Sequence, residues 1–183
     1  GSAFVVFRKK VNVTKKAQPV VAVKQVANIS TGWKAQFDPA FGGPAEEVSF
    51  PALKLWNQQD NNAIKYYSGT AVYKNRFSLE HLDKSKPVYL TVDSIFNIAT
   101  VAINGTVCGT LWTPPYRLDV SKAIKAGENT IQIEVTNTWA NRLIGDLTLP
   151  EEKRITWTTA PLNLLQNKPL SKAGLEGEVR IEQ

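Results

Sequence analysis

The segment from Trp139 to Asp146 combines the two kinds of side chain that bind sugars. An indole stacks on the apolar face of a sugar ring, and amide, guanidinium and carboxylate groups hydrogen-bond to the ring's hydroxyls. A second group of this kind flanks a Pro-Pro turn earlier in the chain. Together the two segments supply the candidate ligand-binding residues, which are Trp112, Tyr116, Arg117, Trp139, Asn141, Arg142 and Asp146.

A structural interpretation of the segment from Trp139 to Asp146 stands beside this one. Trp139 has the same alternation parity as the apolar residues of the strand before it, so it could simply cap the core. Arg142 and Asp146 could form an internal ion pair that braces a loop. We expect bracing to come first, and we expect this loop to lie beside the Pro-Pro turn at one end of the fold. A groove shared with Tyr116 and Arg117 is the alternative.

The acidic residues do not form an assignable catalytic pair. Glu46-Glu47 and Glu151-Glu152 are adjacent carboxylates, which point to opposite sides of an extended chain and are most simply solvated. Hydrolysis of a glycosidic bond requires two carboxylates that face each other across about 5 to 9.5 Å. We therefore predict no catalytic residue in this chain.

The chain has one cysteine, Cys108, and one histidine, His81. A single cysteine cannot form an intramolecular disulfide or a cysteine-based zinc site. Without a second histidine, neither a Cys/His nucleophile pair nor a multi-histidine metal centre can be assembled. We predict no metal site and no cofactor. Cys108 is expected to be a small buried core residue opposite Val101.

Charge and hydropathy indicate neither a nucleic-acid partner nor a membrane partner. The formal net charge is +6 and the pI is about 9.4, but the cations are scattered and form one run of three, Arg8 to Lys10. Positive charge alone supports only non-specific binding to nucleic acid. No apolar run approaches the roughly 20 residues of a membrane-spanning helix. Gly1-Ser2 looks like a cloning remnant, so we expect the chain to begin inside a longer protein.

The candidate residues are positioned by a hairpin and a long strand. Asn104-Gly105 between two apolar runs predicts a two-residue type I′ turn, because both residues must adopt φ > 0. The implied pairs are Ile103 with Thr106, Val101 with Cys108, and Ala99 with Thr110. Alternating Ile131, Ile133 and Val135 then predict a half-buried strand, and Asp119 and Ser121 can cap a helical turn before it.

Similar alternation along the chain predicts seven or eight strands and no long helix, which indicates an antiparallel β-sandwich. The other predicted strands are 3–7, 19–26, 31–38, 64–79, 86–93 and 175–182. Residues 49–56 fit neither period and are expected to form an ordered loop pinned by aromatics. Residues 1–24 are interpreted as the tail strand and linker of a preceding domain, and residues 25–183 as the sandwich.

The run from Val101 to Trp139 resembles the sugar-binding β-sandwich of family 2 glycoside hydrolases. It has a strand ending in Asn-Gly, a Pro-aromatic turn, an Asp-initiated helical turn, Gly-x-Asn, and an alternating strand ending in Asn. The segments IKYYSGTAVY, GTLWTPPYR and NTWANRLIGDLTLP are more similar to the C-terminal sandwich of family 106 α-L-rhamnosidase-like hydrolases. The resemblance covers roughly residues 30–183.

This resemblance implies a jelly roll of the galactose-binding-like type and a parent protein that is a glycoside hydrolase. In these families the catalytic carboxylates lie in a separate barrel domain, so none carries over. The implied role is a non-catalytic accessory domain that packs on the catalytic domain of the same parent chain and contacts a plant or bacterial glycan. The implied location is the periplasm or cell surface of a Bacteroides-type bacterium.

Relatives of this fold often bind a structural calcium ion, which no residue pattern here supports. Two other functions stay open beside the accessory role. One is an autonomous carbohydrate-binding module, which requires exposed coplanar aromatics. The other is a structural spacer or protein-interaction domain. Solvent exposure of Trp112, Tyr116 and Trp139 separates these alternatives.

Overall fold

A computed structural model describes residues 23–159, 164–165 and 168–183, and it confirms an all-β antiparallel sandwich. The strands are β1 Gln25–Asn28, β2 Thr31–Gln36, β3 Val48–Ala52, β4 Thr70–Leu79, β5 Tyr89–Phe96, β6 Ile98–Ile103, β7 Thr106–Leu111, β8 Arg117–Asp119, β9 Gly127–Thr136 and β10 Gly174–Glu182. The two α-helices of the described residues are α1 Asn62–Lys65 and α2 Ala140–Asp146. The strand predicted at 3–7, the first half of that at 19–26, and nearly all of the proposed tail and linker lie outside the described residues.

The strands form a four-stranded sheet in the order β1-β10-β5-β8 and a six-stranded sheet in the order β3-β2-β4-β9-β6-β7. Their inner faces carry the apolar residues that alternation predicted. The buried residues include Trp33, Ala35, Phe37, Ala71, Tyr73, Leu79, Val88, Leu90, Val92, Ile131, Ile133, Val135, Val179 and Ile181. Each large apolar side chain buried in this way contributes about 1.5–3 kcal/mol to folding.

An aromatic cluster fills the core beneath the six-stranded sheet. The ring of Phe37 meets those of Trp56 and Tyr67 edge to face, with centroids 5.4 and 4.9 Å apart. Trp56 Nε1 donates a hydrogen bond of 2.5 Å to the hydroxyl of Tyr73. Trp33 packs edge-on against Tyr73 at 6.3 Å. Trp and Tyr rings can be buried here because each indole N–H and each phenol hydroxyl has a hydrogen-bond partner inside the core.

Two element predictions were wrong in their boundaries. Residues 49–56 contain the edge strand β3, which pairs with β2, instead of an ordered loop. Pro51 is exposed on this edge strand. It has no backbone N–H, but an edge position does not require one for strand pairing. Residues 64–79 are not one strand, since α1 occupies their start. Asn61 caps α1 by accepting a hydrogen bond from the backbone N–H of Ala63.

The hairpin is present, but its register differs from the prediction. Asn104 and Gly105 have φ of 51° and 78°, as a type I′ turn requires, and Ile103 pairs with Thr106. Beyond that pair a β-bulge shifts the register, so that Val101 faces Gly109 and not Cys108. Counting outward from a turn cannot reveal an inserted residue, which is why the prediction failed.

The bulge leaves Cys108 half-buried at the edge of the core instead of fully buried opposite Val101. Its thiol contacts the carbonyl oxygen of Thr106 at 3.4 Å. Partial burial raises the pKa of this thiol, because a thiolate is poorly solvated there. Cys108 is therefore a weakly reactive structural residue at the margin of the core.

A turn containing the cis peptide Pro114-Pro115 carries the chain from β7 in one sheet to β8 in the other. After β8, Asp119 accepts hydrogen bonds from the backbone N–H and hydroxyl of Ser121, which confirms the predicted cap. These bonds lower the pKa of Asp119. Within the described residues, no helix is long and apolar enough to span a membrane.

Candidate functional site

The segment predicted as a polar loop after β9 forms the short helix α2. Asn137 ends the strand by bonding to another part of the chain. Its side-chain oxygen accepts from Gly69 N–H, and its amide donates to the Tyr67 carbonyl, both at 2.9 Å. The backbone then turns into α2, and Leu143 N–H donates to the Trp139 carbonyl. Strand alternation stops at this point, so the parity argument that placed Trp139 over the core was wrong.

Arg142 and Asp146 form the internal ion pair that the structural interpretation predicted. They lie one helical turn apart, with Nη2 and Oδ1 separated by 2.8 Å and with side chains 8% and 4% exposed. The N–H bond does not point at the oxygen, so the contact is an ion pair without an aligned hydrogen bond. Because both groups are buried and paired, neither faces a groove shared with Tyr116 and Arg117.

The second carboxylate oxygen of Asp146 ties α2 to the segment that follows it. It accepts hydrogen bonds from the backbone N–H groups of Ile155, at 3.2 Å, and Thr156, at 2.8 Å. The hydroxyl of Thr156 donates a third hydrogen bond of 2.5 Å. The three donors contact one oxygen of Asp146 and the guanidinium of Arg142 faces the other, so both carboxylate oxygens are held by internal contacts.

Asn141 and Arg142 connect α2 to two further segments. The side-chain amide of Asn141 exchanges two hydrogen bonds of 2.8 Å with the backbone of Ser171, just before β10. The backbone N–H of Arg142 donates to the hydroxyl of Ser68 at 3.0 Å. The helix is thus attached to three other segments of the chain, which holds it in one position.

Exposed apolar side chains cover this braced base. Trp139 is 49% exposed and packs edge to face against Phe41, with ring centroids 5.6 Å apart. Ile155 is exposed and closes on Gly42, where a Cβ would lie 2.9 Å from its Cδ1 atom. Trp157, two residues further along, is 85% exposed. We call Phe41, Trp139, Ile155 and Trp157 the aromatic end patch.

The turn that carries Phe41 is held from below by Tyr67. The Tyr67 hydroxyl accepts a hydrogen bond from the backbone N–H of Asp38 and donates one to the Thr70 carbonyl. Burial raises the pKa of Tyr67, and this outweighs the lowering effect of the Asp38 N–H donor. Gly43 packs so closely on Phe37 that a Cβ would lie 2.6 Å from that side chain. The position of Phe41 is therefore fixed.

Tyr116 and Arg117 lie against β5 and β10 of the four-stranded sheet, and Trp112 lies between β7 and the Pro-Pro turn that leads to them. Trp112 is 69% exposed, whereas Tyr116 is partly buried and donates to the Ile95 carbonyl at 3.2 Å. The Arg117 guanidinium sits over the ring of Tyr89 at 3.8 Å, and its Nε lies 3.8 Å from a carboxylate oxygen of Glu182. No hydrogen bond or ion pair between described residues joins this group to α2.

The candidate residues thus separate by exposure. Trp112, Trp139 and Arg117 are exposed, although Arg117 contacts neighbouring side chains, and Tyr116 is partly buried. The remaining three, Asn141, Arg142 and Asp146, are buried and bonded to other parts of the chain. Sequence reasoning missed Phe41, Ile155 and Trp157. Phe41 could have been found from the sequence, because it is a large apolar residue in the Pro- and Gly-rich run DPAFGGP and belongs to no strand pattern.

No group of three or more His, Cys, Asp or Glu side chains is placed to hold a metal ion in the described part of the chain. The adjacent pairs Glu46-Glu47 and Glu151-Glu152 are exposed. Glu47 forms an ion pair of 3.0 Å with Lys34 on β2.

Comparison with known proteins gives one family and several relatives. The family described as glycosyl hydrolase 2 galactose-binding domain-like matches residues 54–164. The chain is 40% identical over 136 residues to a putative beta-glucuronidase of Formosa agariphila, covering 73% of this chain and 12% of that protein. A beta-glucuronidase of the same organism is 36% identical over 74 residues, covering 39% of this chain and 8% of that protein.

Solved structures show the same architecture. A rhamnosidase from Novosphingobium sp. PP1Y superposes with a TM-score of 0.81 at 33% identity, covering 97% of this chain and 16% of that one. The beta-glucuronidase of Ruminococcus gnavus has a TM-score of 0.60 at 22% identity, covering 88% of this chain and 28% of that one, and shares the fold alone. The chain spans less than a third of each of these proteins.

Proposed function

The chain belongs to the glycosyl hydrolase 2 galactose-binding domain-like family, and from this membership we infer that it is a non-catalytic accessory domain of a larger glycoside hydrolase. The domain packs on the catalytic domain of the same parent chain, and the segment from Trp139 to Asp146 contacts glycan only in the intact enzyme. The parent works in the periplasm or at the cell surface of a Bacteroides-type bacterium, where plant or bacterial glycans are encountered. The observation that carries the proposal is the aromatic end patch on its rigid polar base.

The composition of the aromatic end patch suits a protein interface. The cores of such interfaces are enriched in aromatic residues and depleted of charged ones, and tryptophan is among the residues that contribute most to binding. Trp157 exposes 85% of its surface to solvent in the isolated chain. Burying it against a second domain removes this apolar area from water, at about 25 cal/mol per Å².

The rigidity of the base favours the same role. Asn141, Arg142 and Asp146 hold α2 to three separate segments, so Trp139 is presented in one position before any partner arrives. A surface that is already ordered loses less conformational entropy on association than a flexible one. The buried residues among the sequence candidates thus support an interface without touching a ligand.

The internal bonding of Asp146 supports the non-catalytic part of the proposal. It is the only carboxylate buried among the described residues, and it is occupied by Arg142 and Thr156. A glycosidase acid or nucleophile must reach the scissile bond together with a second carboxylate. Asp146 cannot do so without breaking its internal bonds.

For the parent we propose an α-L-rhamnosidase-like activity and a domain equivalent to the C-terminal sandwich of family 106 hydrolases. The support is the match to the Novosphingobium rhamnosidase, which extends over nearly the whole chain at 33% identity. A β-glucuronidase activity is the second candidate, because the putative enzyme of Formosa agariphila is 40% identical over 136 residues.

The first test compares the isolated chain with the intact parent on aryl α-L-rhamnosides, aryl β-D-glucuronides and aryl β-galactosides. We expect no turnover by the chain and hydrolysis of the rhamnoside by the parent. Hydrolysis of the glucuronide alone would select the second candidate. Turnover by the isolated chain that survives repurification and disappears in an Asp or Glu variant would overturn the non-catalytic role.

The second test addresses the interface. In the parent, the double variant Trp139→Ala/Trp157→Ala should make the junction with the catalytic domain more sensitive to limited proteolysis, while the melting temperature of the isolated chain stays nearly unchanged. Trp112→Ala is the matched control, because Trp112 is also exposed but lies outside the patch. Equal proteolysis of all three proteins would contradict the interface.

A glycan array on the isolated chain separates the remaining alternatives. Binding that is lost in Trp139→Ala would favour an autonomous carbohydrate-binding module at the aromatic end patch. No binding, combined with no effect of the double variant in the parent, would favour a structural spacer.

A further inference from the structure

The outer face of the six-stranded sheet forms an open groove with a volume of about 910 Å³. Strands β4 and β9 form its floor, the β6–β7 hairpin lies on one side, and β2 with Glu47 lies on the other. This volume falls within the range of about 300–1,000 Å³ that is usual for small-molecule sites. The groove is distinct from the aromatic end patch and shares no residue with it.

Two cations stand on the floor of this groove. Lys74 and Arg76 are both exposed and lie two residues apart on β4, so their side chains leave the same face of the sheet about 7 Å apart. No ion pair within the described residues involves either of them. Lys34, also at the groove, differs because its Nζ lies 3.0 Å from a carboxylate oxygen of Glu47.

Strand β9 places neutral and acidic hydrogen-bonding groups beside the two cations of β4. The strand register places Gln132 opposite Lys74, and Thr130 opposite Arg76. The Gln132 amide donates to the Glu134 carboxylate at 2.9 Å. The Gln132 carbonyl oxygen and the remaining lone pairs of Glu134 can accept hydrogen bonds from hydroxyl groups.

We propose that this groove binds an acidic oligosaccharide. Carboxylates of the glycan meet Lys74 and Arg76, and its hydroxyls meet Gln132 and Glu134. The inference goes beyond the accessory role, which requires only the aromatic end patch. It adds a glycan-binding site to the domain itself, at residues that the sequence patterns did not single out.

The composition of the groove favours a saccharide over a protein partner. No aromatic residue lines it, so a saccharide is held here by charge and hydrogen bonds and not by the ring stacking of an aromatic carbohydrate-binding module. The apolar side chains along it belong to Ala102, Val107 and Ile131. Protein interfaces are depleted of Lys and Glu and anchored by aromatic residues, whereas this surface is rich in Lys, Glu, Gln and Thr. A ligand made of hydroxyls with regular carboxylates satisfies such groups without requiring apolar burial.

Calorimetric titration with trigalacturonic acid tests the proposal, with maltotriose as the neutral trisaccharide. We expect the acidic trisaccharide to bind and maltotriose to bind at least about tenfold more weakly, because attraction to Lys74 and Arg76 steers only the charged ligand. Raising NaCl from about 50 to about 500 mM should weaken acidic binding several-fold, since exposed charges are screened.

The variant Lys74→Ala/Arg76→Ala should lose at least about tenfold in affinity for trigalacturonic acid. Lys122→Ala/Lys125→Ala is the matched control, because it removes two exposed lysines outside this groove, and it should bind like the unaltered chain. Amide chemical-shift changes in the unaltered chain should map to residues 74–76 and 130–134. This mapping decides the matter even if the double variant folds poorly.

Three results would overturn the proposal. The first is no binding of trigalacturonic acid by the unaltered chain. The second is equal loss of binding in the groove variant and the lysine control, with shift changes elsewhere. The third is binding of a pentaglutamate peptide at least as tightly as trigalacturonic acid, which would make the groove a surface for an acidic protein segment. None of them bears on the aromatic end patch, so the proposed accessory role is tested separately.

Discussion

The α2 end and the outer groove of the six-stranded sheet use their cations in opposite ways. At the α2 end, Arg142 is buried and paired with Asp146 across 2.8 Å. In the groove, Lys74 and Arg76 are exposed and have no ion-pair partner among the described residues. A buried charge must be paired, because desolvation makes an isolated one too costly. An exposed charge has no such requirement and stays available to a ligand.

The outer face of the four-stranded sheet lies between these extremes. Arg180 contacts Asp93 at 2.6 Å and Glu178 at 2.8 Å, so its charge is neutralised although the residue is partly exposed. The hydrogen bond to Glu178, together with the contacts to Asp93, raises the pKa of Arg180. Pairing satisfies the cation on this face, whereas the opposite face of the sandwich leaves two cations open.

The largest effect should come from breaking the buried pair. Arg142→Ala should lower the free energy of unfolding by about 3–5 kcal/mol, because it leaves the Asp146 carboxylate buried without its cation. Urea unfolding followed by circular dichroism measures this change. Arg76→Ala is the control and should cost less than about 0.5 kcal/mol, as surface substitutions usually do. A loss below about 1 kcal/mol for Arg142→Ala would mean that water reaches Asp146.

The next effect concerns the other buried attachment of α2. Asn141→Ala removes both hydrogen bonds to Ser171 and leaves two backbone groups without partners, so it should cost about 1–3 kcal/mol. The same unfolding experiment measures the loss, and hydrogen exchange at Ser171 should accelerate. Slow exchange at Ser171 in the variant would show that the segment before β10 is held by other contacts.

A third prediction concerns Tyr73, which points into the core from β4 directly next to the exposed Lys74. Burial raises the pKa of Tyr73 far above the ordinary value of about 10. The folded state therefore keeps its proton while the unfolded state loses it. The protonated Tyr73 therefore contributes its full share to the free energy of unfolding below about pH 10. Above that pH the free energy of unfolding falls by up to about 1.4 kcal/mol per pH unit.

Unfolding of the unaltered chain and of Tyr73→Phe between about pH 9 and pH 11 isolates this contribution. The difference in stability between the two proteins should shrink as the pH rises. Tyr73→Phe should also be less stable at neutral pH by about 1–3 kcal/mol, because Trp56 Nε1 is left buried without an acceptor. A constant difference across this pH range would contradict the assignment.

The smallest effect should come from Arg180, which is paired but partly exposed. Arg180→Ala should cost about 1 kcal/mol or less, because exposed ion pairs gain little in water. The loss should shrink further at about 1 M NaCl, where the screening length falls to about 3 Å. A loss of stability that is independent of salt and as large as that of Arg142→Ala would contradict the distinction between the buried ion pair at α2 and the ion pairs of Arg180 on the sheet surface.

The local patterns of the sequence were sufficient for the main strands. Alternation identified the buried faces of β4 and β9, because side chains on a strand point to opposite sides with a period of two. Asn104-Gly105 located the hairpin, since few residue pairs accept φ > 0 at both positions. The opposite charges of Arg142 and Asp146 within one short segment predicted their pairing, although the helix that brings them together was not foreseen.

The remaining features depend on contacts between residues far apart in the chain. The bulge that displaces Cys108 and the hydrogen bonds that begin α2 after Asn137 involve partners that no local window contains. Phe41 and Trp139 are separated by almost a hundred residues, yet their rings touch. The groove exists because the tertiary fold places β4 beside β9 and leaves the outer face of both uncovered. Local sequence determined which face of each strand is apolar, and only the packing of distant segments decided which polar and aromatic groups remain exposed to a partner.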